Sequence, residues 1–304
     1  MPSYIICGLR VSSELELPGA IPEPFQAEVA DVSIRRGQVP AVVKGSIEDH
    51  ASWERVGETF LVDIHHLARF RITAGREILF ELKPGRMESE AAGFVLETAF
   101  GILMHQRGAL VLHGASVAEE GRAIVICGAS GAGKSTLAAA LCRGGCAFVA
   151  DDRCVVGLDA TKRPIVLPDG RQLKLWKESI DRLDLAQLRG KAVREPIEKY
   201  YIDPSNFRAQ PSSLSAIYVL RELRPPQTKV RIESLALPDA LRMLDYETYR
   251  PGLRDKIGRK PEMLAHAAIV LGHAKIFLLM RPHGFQHLQE MIAELRAHWE
   301  SLDG

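Results

Sequence analysis

The sequence predicts an α/β fold, in which a phosphate-binding core of strands and helices follows a smaller β-rich N-terminal domain. Two observations predict this class. Runs rich in β-branched and aromatic residues, separated by Pro and Gly turns, fill the chain to about residue 84. Further on, the apolar run 123–127 leads into a glycine-rich segment and then into the strong helix formers of 134–143. We therefore predict two domains, 1–88 and 89–304.

The composition is that of a globular protein with a sizeable core. Of the 304 residues, 46% are hydrophobic and 25% are charged, which argues against a fibrous or largely disordered chain. The 39 basic and 38 acidic residues leave a net charge of +1, so no overall field draws the protein to nucleic acid or to an anionic membrane. We therefore expect neither of these as a partner.

The start of the chain and its cysteines predict a cytoplasmic location. Residues 1–7 lack the basic and then apolar segments of a secretory leader, and no apolar stretch is long enough to span a bilayer. The five cysteines are odd in number and contain no CxxC pair. Reduced thiols are therefore expected.

The N-terminal domain is predicted from short strands and turns. Its β-rich runs lie at 4–7, 41–44, 60–64 and 78–82. A turn at 83–85 ends this region, and apolar residues at helical spacing then predict a helix to about residue 106. The residues of this apolar stripe are Ala92, Leu96, Ala99, Phe100 and Leu103.

Strands lead into the glycine-rich segment. A run at 109–113 is followed by two further runs, 117–122 and 123–127. The last two predict strands joined by a tight turn at Glu120 and Gly121. The second of them ends where the glycine-rich segment begins, so this segment is expected between a strand and a helix.

The glycine-rich segment, residues 128–135, matches the phosphate-loop pattern GxxxxGK[ST] in that context. Its small residues let successive N–H groups and the helix N-terminus face phosphate oxygens. Lys134 would bridge the β- and γ-phosphates, Ser135 would offer a hydroxyl to Mg²⁺, and Thr136 would cap the helix or touch the α-phosphate. A turn that binds nothing is the disfavoured alternative. The predicted nucleotide-binding residues are Gly128, Ala129, Ser130, Gly131, Ala132, Gly133, Lys134, Ser135 and Thr136.

Two adjacent carboxylates follow the next apolar run. Asp151 and Asp152 come directly after 146–150, seventeen and eighteen residues beyond Lys134. At a strand end beside the phosphate loop, one carboxylate can hold Mg²⁺ and the other can take a proton from an attacking hydroxyl. The alternative is a pair that only caps a turn or a helix.

Three further residues are candidates for the site. His113 ends a strand that is predicted to neighbour the one feeding the phosphate loop, although a lone histidine is more often structural. Phosphoryl transfer also needs a cation near the γ-phosphate beyond Lys134. In the basic segment 189–199 we predict Arg194 and Lys199 for this role, with a solvated charge run as an equally weighted alternative.

Three segments together resemble a known family. Residues 112–117, 128–136 and 149–152 look like the C-terminal catalytic domain of HPr kinase/phosphorylase, a bacterial P-loop protein-serine kinase, in order and in spacing. The resemblance implies an HPr-kinase-type α/β core, related to the nucleotide fold of phosphoenolpyruvate carboxykinase. It also implies a serine kinase that uses ATP and Mg²⁺.

The resemblance implies a role for each matching residue. Asp151 would be the general base that accepts the serine proton, and Asp152 would face Mg²⁺ together with Ser135. His113 would lie near the transferring phosphate. Lys134 would stabilise the charge that develops on the phosphates.

The chain departs from the bifunctional family after residue 152. Where that family has an LE[VI]RG-type motif, residues 173–176 read LKLW, which lacks the metal-side carboxylate and argues against the phosphorylase direction. This run and the opening 4–18 are more similar to shorter HPr-kinase-like proteins of peptide biosynthesis. These include kinases that phosphorylate the C-terminal serine of lasso-peptide precursors, which implies such a precursor as the acceptor.

Two alternatives stay open at this stage. One is a true HPr kinase/phosphorylase with HPr as its partner. The other is a nucleotide-dependent switch that hydrolyses ATP slowly and has no acceptor. The sequence also leaves open whether the chain forms a homo-oligomer.

Overall fold

The structure is a computed structural model in which two compact units are recognised from their internal contacts. It describes residues 1–23, 29–42, 47–48, 51–170, 172–193, 196–223, 226–227 and 229–302. The N-terminal unit contains Met1–Val111 and Arg250–Met263. The second unit contains Leu112–Tyr249 and Leu264–Gly304. We call it the P-loop unit because it contains the predicted phosphate loop, residues 128–135.

The chain alternates between short strands and short helices. The strands are β1 (Ser3–Ile6), β2 (Leu9–Ser13), β3 (Ile21–Pro22), β4 (Val32–Arg36), β5 (Ile47–Glu48), β6 (Ala51–Val56), β7 (Thr59–Ile64), β8 (Ala68–Thr73), β9 (Glu77–Leu82), β10 (Leu110–Leu112), β11 (Gly114–Glu119), β12 (Arg122–Cys127), β13 (Ala147–Asp151), β14 (Cys154–Leu158), β15 (Pro164–Leu167), β16 (Leu173–Trp176), β17 (Arg189–Ala192), β18 (Lys199–Ile202), β19 (Ser212–Glu222), β20 (Arg231–Ser234) and β21 (Lys275–Arg281). The α-helices are α1 (Glu88–Phe94), α2 (Phe100–Gln106), α3 (Lys134–Arg143), α4 (Lys177–Arg182), α5 (Leu237–Tyr246), α6 (Pro251–Ile257), α7 (Lys260–Leu271) and α8 (Leu288–Ser301). A π-helical turn, Val95–Ala99, joins α1 to α2.

The N-terminal unit is built on one sheet with the strand order β3-β1-β2-β4-β9-β8-β7-β6-β5. Strands β6 to β9 form an antiparallel meander, whose alternating side chains leave one face apolar. On β8 the inward residues Ala68, Phe70 and Ile72 are fully buried. The predicted runs 60–64 and 78–82 correspond to β7 and β9, whereas part of the run 41–44 lies outside the described residues.

The helical segment after β9 packs within the N-terminal unit. Phe94 stacks on Phe70, with ring centroids 4.4 Å apart. Near the end of α2, the Gln106 side chain donates a hydrogen bond to the Ile72 carbonyl oxygen, at 3.1 Å. The predicted domain boundary at residue 88 therefore differs from the observed division, because these helices cover the sheet that precedes them.

The sheet of the P-loop unit brings distant segments to one edge. Its strand order is β10-β14-β15-β19-β12-β11-β13, and β21 adds to β19. Strands β12, β19 and β21 are parallel, while β11 runs antiparallel between β12 and β13. Gly114 therefore lies opposite Cys127, and Ala115 lies opposite Asp151. The start of β11, the end of β12 and the end of β13 meet at this edge.

Apolar residues at helical spacing hold α3 against this sheet. Leu137 and Leu141 are fully buried in one core with Ile124 and Ile126 of β12. The inner residues of β16 in the small sheet β16-β18-β17 join the same core. The chain is thus a mixed α/β protein, as predicted. Among the described residues, no helix combines the length and the hydropathy that crossing a membrane requires.

Candidate active site

The predicted phosphate loop connects β12 to α3, and its backbone conformation depends on glycine. Gly128 has φ 142°, and a Cβ atom there would lie 3.1 Å from the Leu220 carbonyl oxygen. Gly133, with φ 91°, is the residue before α3, so the helix begins at Lys134. The first amides of α3 have no partner within the helix, which makes this end of the helix suited to phosphate.

Lys134 is buried against the loop that precedes it. Its Nζ donates hydrogen bonds to the carbonyl oxygens of Gly128, at 2.8 Å, and Ala129, at 3.0 Å. Only 7% of the residue is exposed, and this burial lowers the pKa of Lys134, while nearby Asp151 and Glu247 act in the opposite direction. The ammonium group of Lys134 therefore lies against the first two residues of the loop.

Asp151 is hydrogen-bonded through both carboxylate oxygens. Ser135 Oγ donates to its Oδ1 at 2.7 Å, and the Lys174 amide donates to its Oδ2 at 2.9 Å. Burial raises the pKa of Asp151, and these two hydrogen bonds oppose that shift. Asp151 thus connects the hydroxyl of Ser135, in the first turn of α3, to the backbone of β16.

Asp152 has different neighbours from Asp151 and lies beside His113. It has φ 71°, so the backbone turns sharply after β13. His113 Nδ1 lies 3.1 Å from the Asp152 carbonyl oxygen and 3.4 Å from its Oδ1. Because a carbonyl oxygen only accepts hydrogen bonds, this contact requires a proton on Nδ1 of His113. Lys174 Nζ lies 4.0 Å from Asp152 Oδ2.

The contacts of the two aspartates differ from those that the sequence-based assignment suggests, and the roles themselves stay predictions. That assignment placed Asp152 with Ser135, but the structure pairs Ser135 with Asp151. Asp151 still belongs to β13, whereas the positive φ of Asp152 directs the next carboxylate toward His113. A non-glycine residue seldom adopts such a φ, so spacing alone could not have indicated it.

Glu247 is a functional candidate that the sequence analysis missed. Its side chain, 4% exposed, accepts a hydrogen bond from the Gly128 amide at 2.9 Å and forms an ion pair with Arg221 at 2.9 Å. Its carbonyl oxygen accepts the His113 amide at 2.7 Å. A residue 119 positions from Gly128 therefore contacts both the loop and His113, and no local motif marks it.

Two more contacts define the surroundings of the loop. Arg281 donates to the Ala132 carbonyl oxygen at 2.7 Å, and burial lowers the pKa of its guanidinium. Thr136 Oγ1 lies 2.9 Å from Ser179 Oγ, so its hydroxyl contacts α4. The predicted contact of Thr136 with the α-phosphate stays a prediction.

The predicted γ-phosphate cations have different outcomes. Arg194 lies outside the described residues. Lys199 lies opposite Trp176 in the small sheet, with Nζ 5.9 Å from the centre of the indole ring, and no described contact joins it to the loop. Lys174 is a cation that the structure places beside Asp152. In the sequence, this position stood out only for the carboxylate that it lacks.

The side-chain oxygens of Ser135 and Asp151 are suited to bind Mg²⁺ together with a nucleotide. The described residues contain no cluster of three or more His, Cys, Asp or Glu side chains that could hold a metal by themselves. Mg²⁺ in nucleotide sites needs fewer protein ligands, because phosphate and water oxygens complete its shell. A hydroxyl and a carboxylate oxygen 2.7 Å apart, from Ser135 and Asp151, are hard oxygen donors of this kind.

Comparison with known proteins adds little to this geometry. No protein-family model and no curated protein sequence matches the chain. Among solved structures, it is similar to the Hpr(Ser) kinase/phosphatase from Coxiella burnetii, with 12% sequence identity and a TM-score of 0.33. The match covers 64% of this chain and 93% of that chain. So low a similarity assigns no function, and the local arrangement of side chains has to supply one.

Proposed function

We propose that the P-loop unit is an ATP-dependent phosphotransferase that passes the γ-phosphoryl group of ATP to a serine hydroxyl of a peptide or small protein. One observation carries this proposal. The hydroxyl at the start of the loop helix contacts Asp151, and the adjacent Asp152 contacts His113 and Lys174. Asp151 would therefore belong to the part of the site that binds the nucleotide, which we call the nucleotide side. Asp152, the next residue, would belong to the part that binds the acceptor, which we call the acceptor side.

The nucleotide side consists of the loop, α3 and Asp151. The amides at the start of α3 and the ammonium of Lys134 would bind the phosphates, once that ammonium leaves the loop carbonyls it now contacts. Ser135 and Asp151 would hold Mg²⁺, which when bound neutralises charge on the phosphate oxygens. Arg281, bonded to the loop carbonyl of Ala132, supports the loop from outside.

The acceptor side is centred on Asp152, which we infer to be the general base. The serine oxygen bonds to the γ-phosphorus, the bond to the β–γ bridging oxygen breaks, and ADP leaves. The serine proton passes to the Asp152 carboxylate. This inference exchanges the roles implied by the sequence resemblance. It is supported by the hydrogen bonds that already engage both oxygens of Asp151, and by the 35% exposure of the Asp152 side chain.

Two neighbours would hold Asp152 ready for the proton. The Lys174 ammonium lies 4.0 Å from one oxygen of this carboxylate, and the His113 ring orients the carboxylate from the other side. Lys174 is also close enough to the aspartate pair to stabilise negative charge on a transferring group. This assigns to Lys174 the cationic role that the sequence analysis gave to Arg194 and Lys199.

For the acceptor, we propose a peptide such as a lasso-peptide precursor with a C-terminal serine. This step is supported only by the sequence resemblance at 4–18 and 173–176. HPr remains the alternative partner. A switch without acceptor is the alternative from another functional class, and it predicts phosphate release with no phosphorylated product.

The test is intact-mass analysis of acceptors after incubation with ATP and Mg²⁺. The acceptors are HPr and a precursor peptide that ends in serine, and a serine-to-alanine peptide is the control. One added phosphate on the precursor alone supports a peptide kinase, whereas addition to HPr alone supports the regulatory alternative. ATP consumption with no labelled acceptor would contradict phosphotransfer and favour the switch.

A further inference from the structure

The small sheet β16-β18-β17 has one face in the core and one face outside. Leu173 and Leu175 of β16 and Ile202 of β18 are about 1% exposed and belong to the core of the P-loop unit. Because side chains alternate along a strand, Lys174 and Trp176 lie on the opposite face. Trp176 is 51% exposed, which is unusual for a large aromatic side chain.

Cations and aromatic rings alternate on this outer face. The antiparallel register places Lys174 opposite Tyr201 and Trp176 opposite Lys199. Lys199 Nζ lies 5.9 Å from the centre of the Trp176 ring. We call these four residues, Lys174, Trp176, Lys199 and Tyr201, the outer-face cluster.

The charged residues of the outer-face cluster have one sign. Lys174 and Lys199 are its cations, and β16 and β18, which read LKLW and KYYI, carry no carboxylate. Arg189 of β17 lies opposite the core residue Ile202, so it is not part of the cluster. Glu198 and Asp203 flank β18 at its two ends but are not part of it. A surface of this kind complements a peptide that carries negative charge, and the exposed indole offers it apolar contact.

The cluster is continuous with the acceptor side of the candidate active site. Lys174 belongs to both, because its Nζ lies 4.0 Å from Asp152 Oδ2. The pair of Trp176 and Lys199 follows two residues further along β16. Two residues of an extended chain span about 7 Å. A peptide whose hydroxyl lies at Asp152 can therefore place a side chain two residues away against Lys199.

We propose that the outer-face cluster docks the acceptor peptide, and that this peptide carries a carboxylate side chain two residues from the serine that is phosphorylated. The inference rests on the proposed function and deepens it, since it names a feature of the substrate. Lys199 pairs with the carboxylate, and Trp176 packs against the neighbouring apolar atoms. Lys199 is thus a specificity residue, and not a γ-phosphate cation as the sequence analysis predicted.

The experiment uses the full-length protein and peptides with one serine in an Ala/Gly background. Each peptide carries Glu, Ala or Lys two residues before or after the serine. Transfer is followed by mass spectrometry with ATP and Mg²⁺. Binding of the same peptides, labelled with a fluorophore, is followed by anisotropy without nucleotide, so that docking is measured independently of chemistry.

Three variants accompany the native protein: Lys199→Glu, Trp176→Ala and, as a matched charge reversal, Lys275→Glu. Lys275 is exposed and lies at the first residue of β21, the end of the parallel strands remote from the loop. We expect a Glu peptide to bind about tenfold more tightly than the Ala peptide. The Lys199→Glu variant should instead bind the Lys peptide most tightly. The Trp176→Ala variant should bind all the peptides more weakly. Lys275→Glu should behave as the native protein.

The outcomes separate the inference from the proposed function. Charge-dependent binding that Lys199→Glu reverses, without transfer, supports docking and contradicts the kinase. Transfer without preference for Glu, or a preference that Lys199→Glu leaves unchanged, supports the kinase and overturns the docking proposal. Absence of both binding and transfer overturns both. A single-stranded RNA that binds more tightly than the Glu peptide would overturn a peptide as the occupant.

Discussion

The two units of the chain contain charged groups of different burial. In the N-terminal unit, Arg71 pairs with Glu77 of the neighbouring strand, and both side chains are 35% exposed. In the P-loop unit, the Glu247 side chain is 4% exposed, accepts a hydrogen bond from the Gly128 amide 119 positions away, and pairs with Arg221. The first pair joins two adjacent strands, whereas the buried glutamate brings separate segments together. The candidate site contains the buried glutamate.

The largest effect is expected from Lys134→Ala, which removes the one cation that belongs to the loop itself. Loss of charge stabilisation at the transferring phosphate should lower kcat/KM by about 10⁴-fold and weaken ATP binding as well. Kinetics and calorimetric titration with ATP check this. Lys275→Ala is the matched control. Unchanged ATP affinity in Lys134→Ala would contradict the assignment of the loop.

Asn substitutions of the two aspartates should separate the nucleotide side from the acceptor side. Asp152→Asn should lower kcat by about 10³-fold and leave ATP affinity within a few-fold, because it removes only the base. Asp151→Asn should instead raise the Mg²⁺ concentration needed for half-maximal rate. Mg²⁺ titration of both variants is the measurement. The reverse pattern would restore the roles implied by the sequence resemblance.

Acidification should weaken Mg²⁺-dependent nucleotide binding through Asp151. Burial raises the pKa of this carboxyl group, so it takes up its proton at a higher pH than an ordinary aspartate would. Since Mg²⁺ needs the ionised form, the affinity for ATP with Mg²⁺ should fall as pH is lowered toward that pKa. The same titration without Mg²⁺ and with Asp151→Asn supplies the baseline. Equal pH dependence in all three would refute this role.

A smaller effect, on stability, compares the two units directly. Glu247→Ala leaves the Gly128 amide and the Arg221 guanidinium without their buried acceptor, and should reduce the free energy of unfolding by about 2–3 kcal/mol. Glu77→Ala breaks the pair with Arg71, in which both side chains are 35% exposed, and should cost less than about 1 kcal/mol. Urea unfolding measures the free energy of unfolding of both variants. Equal losses would remove the distinction drawn between the exposed pair and the buried glutamate.

The sequence predicted the local parts of the site well. The glycine pattern of 128–135 indicated the loop, and the helix formers of 134–143 coincide with α3. The turn at Glu120 and Gly121 also lies where it was predicted, with positive φ at both residues. Each of these features depends on residues that are close in the chain, so propensity and spacing suffice.

The missed parts depend on contacts between distant residues. Glu247 carries no motif, and it acquires its role only when the end of α5 meets the start of the loop. Lys174 could be noted from sequence as a departure from a pattern, but not as a cation beside Asp152. The different contacts of Asp151 and Asp152, on which the proposed exchange of their roles rests, depend on one backbone angle that residue type did not indicate.

Glu247 has one more consequence, for how the site can move. It holds the phosphate loop through its side chain and His113 through its main chain. A single glutamate therefore links the loop to His113, in addition to the strand pairing that places Gly114 opposite Cys127. If a nucleotide binds as proposed and displaces the loop, Glu247 offers a direct route by which that displacement would reach His113, so one residue would connect the nucleotide and acceptor sides of the proposed reaction.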